Sequence, residues 1–160
     1  MSDGWRSDSS HSEVGQNRLN DMIVQQIRGR GITCSRTLEA MKSVPRHHFV
    51  LDQAQSMAYD DTPLAIGHGQ TISQPYMVAL MSSQFGELPH GSRILEVGSG
   101  CGYQTAILIA MGFEVISIEI VVDLVKMAKN NLSKLNMQNA LKEARSHEEI
   151  LDLKIIRIED

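Results

Sequence analysis

RILEVGSGCGYQTAILIAMGFEVISIE, residues 93–119, decides the fold. RILEVG (Arg93 to Gly98) is a short apolar run bounded by Ser92 and the SGCG turn, the signature of a buried strand. Tyr103 to Met111 then reads as a helix, and EVISIE (Glu114 to Glu119) as a second strand. Val121 to Asn136 supplies a second helix. Strand, tight glycine turn, helix and strand make a βαβ unit whose crossover is right-handed, so its two strands are parallel neighbours.

Gly98, Gly100 and Gly102 stand directly between that first strand and its helix. Glycine suits a backbone that must turn sharply and admit a ligand where a Cβ would intrude. The helix beginning there offers unpaired N–H groups and a partial positive charge to an anion. The spacing is G-x-G-x-G, not the G-x-G-x-x-G of dinucleotide enzymes. Glu96, two residues ahead of the first glycine, is unhelpful beside a pyrophosphate. It suits a ligand carrying an ammonium and a sulfonium, such as S-adenosylmethionine. Glu119 ends the next strand about 20 residues after the first glycine, where a carboxylate accepts ribose hydroxyls. That placement predicts an exposed carboxylate at the strand's C-terminal end. The bland alternative is a tight βα turn flanked by two solvated glutamates.

Working outward, all four prolines fall between Pro45 and Pro89, so this stretch reads as loops and short pieces. PLAIGHGQTISQP (Pro63 to Pro75) is its longest loop, and a loop of that length in a compact chain is usually functional. Gln70, Thr71 and Ser73 gather amide and hydroxyl donors there, fit to meet a carboxylate. A turn-rich connector held by its own hydroxyls explains the same composition. A helix, Tyr76 to Phe85, follows Pro75, which suits a first-turn position. Upstream, Leu19, Met22, Ile23 and Ile27 recur at helical spacing until Gly29 and Gly31. Ser35 to Ser43 forms a second helix with Leu38 and Met41 inward. Residues 1–16 carry little apolar surface beyond Trp5 and read as a disordered, mobile tail. After Leu141 the charges read as a solvated surface, with KIIRIE (Lys154 to Glu159) as one further strand.

The chain of 160 residues is 42% hydrophobic, enough for one domain with a real core. It divides into the tail 1–16, a helical and substrate-loop segment 17–91, and an α/β segment 92–160. A net charge of −4 without any basic run argues against a nucleic-acid partner. The apolar stretch Ala106 to Phe113 is far short of the roughly 20 residues of a membrane span. With no basic-then-apolar leader and no cysteine framework, a cytoplasmic protein is expected. Cys34 and Cys101 stand alone, Cys101 reading as a small turn residue rather than a nucleophile. His47 and His48 are adjacent and have no third ligand nearby, so no metal site is expected.

Together these strings resemble the protein-L-isoaspartate (D-aspartate) O-methyltransferase family over roughly residues 19–139. The resemblance rests on QQIRGRGI (Gln25 to Ile32), VPRHHFV (Val44 to Val50), AYDDTPLAIGHGQTISQPYMVALM (Ala58 to Met81), LEVGSGCGYQTA (Leu95 to Ala106) and VISIE (Val115 to Glu119). It implies an α/β fold, a class I methyltransferase (Rossmann-like) parallel sheet with an N-terminal helical segment. It implies S-adenosylmethionine as cofactor, and methylation of the free α-carboxylate of isoaspartyl residues in damaged proteins or peptides. The ester then collapses to a succinimide whose hydrolysis restores some aspartate. Ser73 matches the family's active-site serine, and Gln70, Thr71, Ile72 and Ser73 match a segment touching cofactor and substrate. Glu119 and Ile120 match its ribose and adenine contacts. After Asn139 the sequence departs from the family, so only the first half of the sheet is expected. That leaves Arg93 to Gly98 as an edge open to self-association. Two other readings stay open beside an active enzyme: a non-catalytic product that binds peptide or a partner only, and a class I methyltransferase with another acceptor.

Overall fold

The computed structural model describes residues 9–137 and 141–145. Helix α1 (Ser9–Asp21) runs on through a π-helical turn at Met22–Ile27 and a 3-10 turn at Arg28–Arg30, and stops at left-handed Gly31. Leu19, Met22, Ile23 and Ile27 are all buried, as their spacing predicts. The helix also reaches back to Ser9, into the stretch expected as a mobile tail. Once the apolar half is anchored in the core, adding turns ahead of it needs no new nucleus, so propagation is cheap.

Helix α2 (Ser35–Ser43) ends ahead of Pro45, and 3-10 turns at Arg46–Phe49 and Asp52–Met57 follow. The expected loop 63–75 is instead mostly a β-hairpin. Strands β1 (Leu64–Gly67) and β2 (Gln70–Ile72) pair antiparallel, Leu64 against Ile72. Leu64 and Ile66 alternate inward along β1, and Gly67, His68 and Gly69 all take positive φ at the tip. G-H-G is thus a hairpin turn signal, read at first as general looseness. Helix α3 (Pro75–Ser83) carries Pro75 in its first turn.

The βαβ unit forms as expected. Strand β3 (Arg93–Val97), helix α4 (Tyr103–Ala110), strand β4 (Glu114–Ile118) and helix α5 (Val122–Lys134) follow in order, β3 and β4 parallel from Arg93↔Glu114 to Val97↔Ile118. The third strand is β5 (Leu141–Arg145), parallel to β4 on its far side. It lies where a solvated surface was expected. The free edge of β4 takes the chain as soon as it returns from α5, and backbone pairing needs no apolar signature. Lys154 to Glu159 lies outside the described residues. Sheet order is β3-β4-β5, so among the described residues β3 pairs on one side only. One buried cluster runs from Leu19 to Leu132, so segments 17–91 and 92–160 share a core. Among the described residues no helix is long and apolar enough to cross a membrane.

Candidate functional site

The glycine turn leaves the carboxyl end of β3 and leads into α4. Gly98 N–H donates to Ile118 O at 2.7 Å, tying the turn to the tip of β4. Gly98 has φ 88° and nothing within 4 Å of where a Cβ would stand, so its outer side faces open space. Gly102, also at φ 88°, caps α4, and a Cβ there would stand 3.1 Å from that of Ala128. The first glycine therefore leaves room for a ligand, while the third lets α5 pack close.

An open cleft of about 580 Å³ lies beside this turn. Its lining brings together Thr71, Ile72 and Ser73 from the hairpin exit with Glu96 from β3 and Gly98 and Gly100 from the turn. Apolar side chains of α3, β3 and α4, among them Val78, Phe85, Ile94 and Leu108, line it as well. Gln70, Gly102, Glu119 and Ile120 do not line it. Ile120 is 70% exposed.

Glu96 is buried. Thr105 Oγ1 and Ser117 Oγ donate to its Oε2 at 2.5 and 2.6 Å, while Oε1 has no partner. Burial pushes its carboxyl up, the hydroxyl bonds oppose that shift, and the charge of Glu119 adds to it. Ser99 Oγ and Gln104 Oε1 are also buried without partners among the described residues, and both line the cleft, as does Tyr103, whose hydroxyl turns to Arg46. Such atoms are costly unless something pairs with them. Orphaned acceptors and hydroxyls beside an open glycine fit a ligand bearing an ammonium and hydroxyls. The sequence reading passed over Ser99, Tyr103 and Gln104; polar side chains interleaved with the glycines were the available signal.

Glu119 corrects an expectation. Its carboxylate is only 6% exposed, not open at the strand end. Oε2 accepts the Gly100 N–H at 2.8 Å and Oε1 the Val121 N–H at 3.0 Å. It buckles the glycine turn to the start of α5. Cys101 is buried and its thiol is pushed up to about 11, chiefly by burial, as suits a small turn residue held in its neutral form. His47 Nδ1 lies 2.7 Å from the Tyr59 hydroxyl, and burial lowers both His47 and His48.

A glycine turn at the carboxyl end of a parallel strand, with a cleft beside it, defines a cofactor-binding α/β domain of the Rossmann-like class. Residues 17–146 match the family model for protein-L-isoaspartate(D-aspartate) O-methyltransferase. The chain belongs to that family. It is 48% identical over 118 residues to a protein-L-isoaspartate O-methyltransferase of Picosynechococcus sp., spanning 74% of this chain and 53% of the relative. The enzyme of that name from Bordetella avium is 45% identical over 139 residues, 86% of this chain and 53% of its own. The chain thus spans about half the length of the curated relatives it matches. A Plasmodium falciparum protein-L-isoaspartate O-methyltransferase, solved with S-adenosyl-L-homocysteine, superposes with a TM-score of 0.61 at 32% identity, covering 75% of this chain and 55% of that one. A further structure of that name gives a TM-score of 0.66 at 24% identity, covering 82% of this chain and 41% of its own, a likeness of fold.

Proposed function

We propose that this chain binds S-adenosylmethionine at the glycine turn and presents Ser73 to the free α-carboxylate of an L-isoaspartyl residue, as part of cytoplasmic protein repair. One observation carries the reading: Thr71 and Ser73 line the same cleft as Glu96, Gly98 and Gly100. When bound, the cofactor supplies an electrophilic methyl group on a sulfonium. Glu96 and Ser99 would hold its amino-acid portion, and Glu119 its ribose with Ile120 beside the base.

The chemistry asks little of the protein beyond position. An α-carboxyl has a pKa of roughly 3.5, so the acceptor is ionised at pH 7 and no general base is needed. The exposed Ser73 and Thr71 hydroxyls donate to the carboxylate and aim one oxygen at the methyl carbon. With the cofactor bound, this placement would put the acceptor oxygen in line for transfer of the methyl group from its sulfonium. Catalysis is then chiefly the positioning of the carboxylate in line with the methyl group.

A binding-only role is the second reading, favoured by the one-sided pairing of β3 among the described residues. Calorimetric titration with S-adenosylhomocysteine, followed by methylation of an isoaspartyl peptide, separates the two. Saturable heat with ester formation supports the enzyme, heat without ester supports binding alone, and no heat at millimolar ligand removes the cofactor from both.

A further inference from the structure

Arg46 opens the 3-10 turn Arg46–Phe49 and is completely buried. Its Nε donates to Ala58 O at 2.7 Å, while Nη1 and Nη2 have no close hydrogen-bond partner among the described residues and the Tyr103 hydroxyl is the neighbour that favours their charge. The guanidinium carbon lies 4.9 Å from the centroid of the Tyr103 ring. Phe49, at the other end of the same turn, meets that ring edge-on at 5.3 Å. Tyr103 is the first residue of α4 and lines the cleft, its hydroxyl turned to the Arg46 guanidinium. Neither neighbour balances the charge: burial pushes Tyr103 up to about 12 and Cys101 up to about 11, so both are neutral at pH 7.

A buried guanidinium without an anion costs stability, and apolar side chains of similar volume often replace such charges without loss. Buried rule-breakers of this kind gather at functional sites. We infer that Arg46 is a positioning residue for the cofactor turn. It stacks on Tyr103 and holds the Ala58 carbonyl on the chain leading to the hairpin, so both walls of the cleft keep their separation. It touches neither cofactor nor acceptor. The inference rests on the cofactor-binding reading above.

Arg46→Met, measured by calorimetry with S-adenosylhomocysteine and by thermal unfolding, tests it. Misplacing one wall costs roughly tenfold to a hundredfold in affinity. The melting temperature changes little, because removal of the buried charge offsets the loss of the donor to the Ala58 carbonyl. Lys keeps the charge but not the stacking plane, so Arg46→Lys loses affinity as Met does. Since Arg46 acts in part through Tyr103, Arg46→Met costs less affinity in the Tyr103→Leu background than in the wild type. Affinity lost in step with the melting temperature, a variant that does not fold, or additive losses would each make Arg46 a structural pin and overturn the inference. Unchanged affinity beside a binding wild type overturns it alone, whereas a wild type that binds nothing removes the cofactor reading with it.

Discussion

Ser73 and Glu119 are separable at the scale of single residues because their side chains have different partners. Ser73 is exposed on the cleft and makes no bond that holds the fold. Ser73→Ala therefore leaves the melting temperature and S-adenosylhomocysteine affinity near wild type. Turnover on an isoaspartyl peptide falls about tenfold or more, since a hydrogen bond to a charged group contributes about 1.5–3 kcal/mol. An unchanged rate would make 70–73 a mere connector. Glu119 accepts two backbone N–H groups, so Glu119→Ala orphans both and lowers stability along with affinity. Glu119→Gln keeps one acceptor oxygen and falls between. Melting curves ordered wild type, Gln, Ala support the buckle; three superimposable curves sink it. Glu96 gives the pH dependence. Its folded carboxyl titrates above the ordinary 4.5, so its contribution is full below that pH and is lost as pH rises through the folded value. Glu96→Gln has no such loss. Its melting temperature should match wild type near pH 4 and exceed it increasingly toward pH 7, and a gap that stays constant with pH would contradict this.

Elements were legible in proportion to how local their cause is. The glycine turn, β3, α4, β4 and α5 follow from periodicity and punctuation within a few residues, and each lies within a residue or two of its expected bounds. The hairpin was missed because its strands have only 4 and 3 residues, and its positive-φ tip looks like a loop. β5 was missed because parallel pairing to β4 is a tertiary fact that LKEAR does not advertise. Within the site, the hairpin exit and the turn were both legible, but not that Glu119 points back at Gly100 N–H, because a chain reading carries no direction for a carboxylate. Gly102 tests the packing of α4 against α5. Gly102→Ala forces a Cβ to 3.1 Å from Ala128 at φ 88°, and left-handed strain alone costs about 1–3 kcal/mol. The melting temperature should drop by several degrees, whereas Gly98→Ala, with nothing near its Cβ, bears the strain without the clash and drops less.

Across the whole molecule the sheet is asymmetric. β4 is covered on both sides by strands, while β3 is paired only with β4 among the described residues. Along β3, Leu95 is 54% and Val97 78% exposed. Free main-chain donors and acceptors beside apolar side chains invite another strand. Expressed as these 160 residues, the polypeptide should self-associate with rising concentration. Lysine on an edge strand opposes such pairing, because docking would bury its charge. Leu95→Lys with Val97→Lys should therefore return the chain to a monomer by light scattering, with its melting temperature little changed, since both side chains already face solvent. A wild type that stays monomeric at every concentration shows that the β3 edge is covered by something else. Self-association that survives both lysines places the contact on another face.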